Sequence, residues 1–240
     1  MSTPRQNFAT TQWTLVWQAA SDDSNHSRPA LEHFIQSYWQ PLYYYARQNG
    51  LSLTDAEDAT QEFLSEILDG KLLSQANPIK GRFRSYLLTA WKRFLVDEYR
   101  KAGRQKAGGN LRRWSIDTAA SESGWQLLAS RNQEPDRAFT LAWANSVLAQ
   151  VQQQLSKDYL DRGRQSLFQI LWPMLTQPLD AAEYDRLAKH LGMSASSVKV
   201  AIHRLRQRYG ETLRAVVADT VDDASEVDRE LAELLEALRS

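Results

Sequence analysis

The sequence predicts an all-α protein: two helical domains joined by a flexible linker. Apolar residues recur at helical spacing through most of the chain, in segments long enough to be helices. A glycine-containing, polar stretch from Ala102 to about Pro135 separates two such regions and is long for a loop inside one domain. The segment Tyr184 to Tyr209, YDRLAKHLGMSASSVKVAIHRLRQRY, reads as two short helices around a tight turn. The expected division is 1–101 for a first domain with an N-terminal extension, 102–135 for the linker, 136–218 for a second domain and 219–240 for an acidic tail.

In order, Phe8–Ala20 is expected to form a first helix with Trp13, Val16 and Trp17 turned inward. A second should run from about Ala30 to Asn49 on a stripe of Phe34, Ile35, Tyr38, Leu42, Tyr45 and Ala46. Pro41 is expected to kink or interrupt it, and Gly50 to close it. The segment SLTDAEDATQEFLSEILDG follows, with Thr54 as its expected N-cap and Asp55, Glu57 and Asp58 near the positive end of the helix dipole. Ala56, Ala59, Thr60, Phe63 and Ile67 should face a core. Asp55, Asp58, Gln61, Glu62 and Glu66 should face out.

After a loop with the turn signal Asn77-Pro78 comes a long helix, expected from Phe83 to Lys101. Its apolar residues cover much of its circumference, with Lys92, Arg93 and Arg100 between them. Such a helix is either buried on several sides or offers rings and cations to a partner such as unpaired nucleic acid. Trp114 and Trp125 suggest that the linker touches something. The second domain opens on the stripe Phe139, Trp143, Val147, Val151 and Leu155, and a further helix should cover Gln165 to Leu175.

In the Tyr184–Tyr209 segment, Leu187, Ala188 and Leu191 mark an inner face, and Gly192 stands where a helix ends with positive φ. Ser194 fits the next N-cap, and Val198, Ala201, Ile202 and Leu205 give that helix its core stripe. The opposite face carries Ser196, Lys199, Val200, His203 and Gln207, with Arg204, Arg206 and Arg208 at its edges. Short polar groups near the helix start and cations further along are the pattern of a DNA-docking helix-turn-helix.

Apolar content of 42% in 240 residues permits a packed core, and the formal net charge is zero. The charges are segregated, however. Cations crowd Lys80 to Arg113, and acids crowd Asp219 to Glu236, so one part of a neutral chain can still face nucleic acid. There is no cysteine, which excludes disulfides and thiolate metal sites and suits a reducing cytoplasm. The four histidines stand at no metal-ligand spacing. No signal peptide and no apolar run of membrane-spanning length is visible. In the tail, Val227, Leu231, Leu234, Leu235 and Leu238 could make an amphipathic helix. Its charge suggests docking on a basic surface of the same protein, with the second helix of the turn motif as one candidate. The alternative is a solvated extension of the last helix.

An acidic helix, an aromatic-basic helix, a flexible linker and a C-terminal helix-turn-helix, in that order, resemble the bacterial sigma-70 family, in its small two-domain extracytoplasmic-function type. DAEDATQEF, GRFRSYLLTAWKRFLVDEYRK and LAKHLGMSASSVKVAIHRLRQRY look like that family's regions 2.2, 2.3–2.4 and 4.2, and the likeness covers about His33 to Val217 without the linker. The resemblance implies a transcription initiation factor that needs no cofactor, has no catalytic group of its own and works in the cytoplasm. Its partners would be promoter DNA and core RNA polymerase, through the β′ clamp coiled coil and the β subunit. The family also admits an anti-sigma factor, of which the sequence carries no trace. Polymerase binding would map onto Asp55, Asp58, Gln61, Glu62 and Glu66. The melted minus-ten strand would map onto Asn77, Lys80, Arg82, Phe83, Arg84, Ser85 and Tyr86, then Trp91, Lys92 and Arg93. The minus-thirty-five element would map onto Ser196, Ser197, Lys199, Val200, His203, Arg204 and Gln207. The Trp-rich N-terminal segment, the tail and the long stretch between Asp161 and Asp180 depart from the family's common pattern. Two other readings stand beside this one: a DNA-binding regulator that does not recruit polymerase, and an all-α hydrolase using the acidic helix's carboxylates to hold metal.

Overall fold

The computed structural model describes residues 28–69, 83–102, 122, 125–126, 134–221 and 223–239. The helix expected over Phe8–Ala20, the loop with Asn77, Lys80 and Arg82, and most of the linker, Trp114 included, lie outside the described residues. Among those described, all regular structure is helical: α1 (Arg28–Gln48), α2 (Leu53–Leu68), α3 (Phe83–Ala102), α4 (Pro135–Asp161), α5 (Gln165–Leu171), α6 (Ala181–Leu191), α7 (Ala195–Ala218) and α8 (Val227–Arg239). Short 3₁₀ turns lie at Trp172–Met174 and Ala224–Glu226. No described helix is long and apolar enough to cross a membrane.

The chain forms two compact units, Met1–Ser146 with Val217–Ser240, and Val147–Val216. This differs from the expected boundaries at 135/136 and 218/219. The start of α4 buries Ala138, Phe139, Ala142 and Trp143 in the first unit, and α8 belongs to that unit as well. The second unit is therefore an insertion in the sequence of the first.

Aromatic packing builds the first unit. Phe83 of α3 meets Phe34 and Tyr38 of α1 edge-on, at ring-centroid distances of 5.6 and 5.5 Å. Phe63 of α2 lies 4.8 Å from Trp91 and 5.3 Å from Phe94, both on α3. Trp39, Leu42, Tyr43, Leu64 and Leu87 complete this core.

Pro41 does not interrupt α1, which runs unbroken from Arg28 to Gln48. Proline has no N–H, so the carbonyl one turn earlier, that of Ser37, loses its helical donor. The buried hydroxyl of Ser146 on α4 lies 3.0 Å from Ser37 O and 2.8 Å from Trp143 O and shares its single proton between them. A serine on a neighbouring helix thus repairs the gap that the proline makes.

The N-cap of α2 is Ser52, not Thr54. The Ser52 Oγ accepts from the Asp55 amide at 3.1 Å, so the helix starts earlier and the first-turn carboxylate is Asp55. Ala56, Thr60, Phe63, Leu64 and Ile67 are its buried face.

In the second unit, Val151 and Leu155 of α4 are buried, and Tyr159, Phe168, Trp172 and Tyr209 form a chain of ring contacts with centroids 5.1 to 5.9 Å apart. The helix expected to reach Leu175 stops at Leu171, because Pro173 removes an amide and the tighter 3₁₀ turn takes over. α6 opens with a capping box: the Asp180 carboxylate accepts from the Glu183 amide, and the Glu183 carboxylate accepts from the Asp180 amide, both at 2.8 Å.

The Ser146 bridge is testable. Ser146→Ala should lower stability by about 1 kcal/mol, because a buried carbonyl loses its donor. The loss should shrink in a Pro41→Ala background, where the helix supplies that donor itself. Urea unfolding of the two single variants and the double variant measures both effects.

Candidate functional site

Three surfaces carry the residues that the sequence singles out. On α2 the caps and dipole set the order of the acidic face, with carboxylates at the positive end. Asp55 and Asp58 are exposed, and Gln61, Glu62 and Glu66 are half-exposed. These five share the side of α2 opposite Ala56, Thr60, Phe63 and Ile67, as expected from the pattern. Asp55 also accepts from the Ser52 hydroxyl at 2.7 Å.

Among the described residues, those expected to meet the minus-ten strand do not form one surface. Phe83 and Trp91 are fully enclosed in the aromatic core, so in this conformation neither ring is open to a base. The packing of α1, α2 and α3 holds both rings. Arg84 is also buried, at 6% exposure, and its charge is met from within the protein. It pairs with Glu230 at 2.9 Å and Glu233 at 2.7 Å, and its guanidinium carbon lies 4.3 Å from the Trp143 ring centroid. Lys92 is half-exposed and pairs with Asp136 of α4 at 2.6 Å. Ser85 and Arg93 are exposed and Tyr86 is half-exposed. Burial raises the Tyr86 pKa and the nearby Arg93 charge lowers it, with a net rise, so the phenol stays protonated at neutral pH. Asn77, Lys80 and Arg82 lie outside the described residues.

The face on α7 stays together. Gly192 ends α6 at φ +63°, the left-handed conformation that a side chain resists. Met193 N then returns to Ala188 O, which closes the turn. Ser194 Oγ accepts from the Ser197 amide at 3.1 Å and caps α7. Val198, Ile202 and Leu205 are buried, which turns Ser196, Ser197, Lys199, Val200, His203, Arg204 and Gln207 outward; all seven are exposed. Lys199 Nζ lies 5.1 Å from the Tyr184 ring centroid, and Gln207 donates to Glu211 at 3.0 Å. This face therefore presents hydroxyls near the helix start and cations and an imidazole beyond them.

Arg206 belongs to the framework of this unit. Its Nε donates to Leu175 O at 2.9 Å, and its Nη2 donates to Met174 O and Gln177 O at 3.1 and 2.8 Å. One guanidinium thus satisfies the carbonyls left where the 3₁₀ turn ends. The alternation of arginines at 204, 206 and 208 hides this role, since nothing local distinguishes the middle one.

Two further contacts had little or no signal in the sequence. Glu122, from the expected linker, accepts from the Tyr43 hydroxyl and from Arg47 Nε and Nη2 at 3.3 and 2.9 Å. The Arg47 guanidinium also lies 4.1 Å from the Trp125 ring centroid. A short piece of that segment is thereby clamped onto α1. The one hint was Trp125, a large ring in a polar stretch.

Among the described residues no group of three or more His, Asp or Glu side chains is placed to hold a metal ion. The exposed faces carry acids on α2, and hydroxyls and cations on α7.

The Glu122 clamp gives a pH dependence. Burial works to raise its pKa, but the hydrogen bonds from Tyr43 and Arg47 and the Arg47 charge outweigh that and hold it below its ordinary 4.5. A depressed carboxylate pKa stabilises the fold above the unfolded value and loses that contribution as pH falls through the folded value. Stability should therefore decline between about pH 5 and the folded pKa, and Glu122→Gln should remove that part of the decline. Urea midpoints from pH 7 downward, for wild type and variant, test it.

Residues 34–105 match the family model for sigma-70 region 2. The match takes in most of α1 and all of α2 and α3, and it ends before α4, so the α6–α7 pair lies outside it. No curated protein and no solved structure matches the chain. The similarity to sigma-70 region 2 is thus confined to a stretch of the first unit.

Proposed function

We propose that this chain is a sigma factor that binds core RNA polymerase and directs promoter recognition and melting. The observation that carries the proposal is the sigma-70 region 2 match over 34–105, the stretch whose α2 turns Asp55, Asp58, Gln61, Glu62 and Glu66 outward. In this reading that acidic face holds the β′ clamp coiled coil. Ser85, Tyr86, Lys92 and Arg93, with Asn77, Lys80 and Arg82 of the preceding loop, follow the melted minus-ten strand.

α6 and α7 act as a helix-turn-helix whose exposed face reads the minus-thirty-five element. Phosphate contacts from Lys199 and Arg204 supply affinity and register, while Ser196, His203 and Gln207 reach base edges. Opening the duplex needs no reacting group here. It needs a surface that prefers unpaired bases, and the polymerase makes the phosphodiester bond. The reading carries with it the extracytoplasmic-function subtype, a cytoplasmic location, contact with the β subunit and an anti-sigma factor as a further partner.

Transcription in vitro with purified core polymerase on a promoter library tests the proposal. Start-site selection that depends on this chain supports it. Failure to co-migrate with core and to confer start sites overturns it. Asp58→Lys with Glu62→Lys should weaken core binding at least about tenfold, or 1.4 kcal/mol, while helicity by circular dichroism is retained. Retained core binding in that variant would remove the assigned face.

On α7, Lys199→Ala should weaken binding to all promoters alike. Ser196→Ala and His203→Ala should each change promoter preference. Uniform loss from all three would contradict the division between phosphate and base contacts.

A further inference from the structure

Arg84 stands second in α3, next to Ser85 and Tyr86, at the edge of the surface just assigned to the unpaired strand. Its Nε donates to Glu230 Oε1 at 2.9 Å, and its Nη2 donates to Glu230 Oε2 at 3.2 Å and to Glu233 Oε2 at 2.7 Å. Its Nη1 reaches Thr140 Oγ1 at 3.4 Å. Both carboxylates come from α8. A fork of guanidinium N–H groups facing paired acidic oxygens is also the geometry in which arginine takes a phosphate.

The rest of the α8 contact is modest. Val227, Leu234 and Ala237 are its buried apolar residues, whereas Leu235 and Leu238 point to solvent at 48% and 36% exposure. Glu230 occupies the middle of the buried stripe and is completely enclosed. An ion pair at this position is a poor choice for stability alone, because desolvation cancels most of the attraction and apolar residues of equal volume do as well or better. It suits a contact that opens, since the surfaces uncovered are charged and water solvates them at once.

We propose that α8 is an internal competitor for nucleic acid: Glu230 and Glu233 hold the Arg84 guanidinium in place of the phosphates of an unpaired DNA strand. The free chain is then closed at this point of the minus-ten surface, and binding of the strand displaces α8. The proposal rests on the functional reading above and adds to it a switch within the chain, with a phosphodiester as the competing ligand.

The experiment uses the full chain without polymerase and a short fluorescein-labelled oligodeoxythymidine as probe. Glu233 is accessible enough to change without breaking the core, with a side-chain exposure of 34%. Glu233→Gln should raise affinity for the oligonucleotide roughly three- to tenfold by fluorescence anisotropy. Glu236→Gln, which removes an equal charge from the exposed side of α8, should raise it distinctly less. Amide hydrogen exchange of wild type should show residues 227–239 exchanging faster at saturating oligonucleotide. Equal affinity gains from the two variants, no gain from Glu233→Gln, or unchanged protection of α8 would each overturn the proposal. If wild type nonetheless directs transcription with core polymerase, the functional reading stands and α8 is a fixed part of the first unit. Absence of promoter-directed transcription would overturn the functional reading instead, while oligonucleotide-driven release of α8 would still support competition at Arg84.

Discussion

An arginine and a glutamate removed from water together close the first unit. Neither Arg84 nor Glu230 would be tolerated alone where it stands, because an isolated charge in such a place is far more costly than the contacts around it. Together, with Glu233 and the Trp143 face, they link α3, α4 and α8 at one point. Removing one partner of a buried pair costs about 3–5 kcal/mol, a large share of a domain's stability. The geometry also suits arginine and not lysine, since one planar group must reach two oxygens of Glu230, one of Glu233 and an aromatic face.

The burial of that pair redistributes the roles along α3. A helix with rings around most of its circumference was open to two interpretations, core or partner surface. Packing decides for Phe83 and Trp91, which α1 and α2 enclose, and electrostatics decides for Arg84, which α8 neutralises. What α3 leaves outside is a narrower band that includes Ser85 and Arg93. In the second unit the division is cleaner. Arg206 is spent on backbone carbonyls, and the neighbouring face of α7 stays exposed.

Much of this was legible from local pattern. The helices follow from apolar spacing, the α6–α7 turn from Gly192 and Ser194, and the outward face of α2 from its acids standing opposite Ala56, Thr60 and Phe63. The cap of α2 was not legible: the pattern points to Thr54, whereas the Ser52 hydroxyl is the group that accepts from the Asp55 amide. What escaped has one physical character. Ser146 serves a carbonyl 109 residues earlier, Arg47 meets a glutamate 75 residues later, and Arg84 meets one 146 residues later. A partner so distant leaves no periodic mark. Glu230 was the exception that could have been noticed. It falls on the stripe of Val227, Leu234 and Ala237, where an acid demands a buried cation. The leucines at 235 and 238 lie instead on the exposed side of the helix.

The separation of Arg84 from Glu230 also governs the order in which the molecule can assemble. Contacts between distant residues form late, because the chain between them must first be confined, though each doubling of that length adds only about 0.6 kcal/mol. Val147–Val216 makes up a compact unit of its own inside that interval, so its folding shortens the free chain still to be closed. A ribosome delivers Arg84 long before α8, and until that helix arrives the guanidinium has only Thr140 and the Trp143 face among the partners described above. The first unit is thus begun before Val147–Val216 is made and sealed only after it.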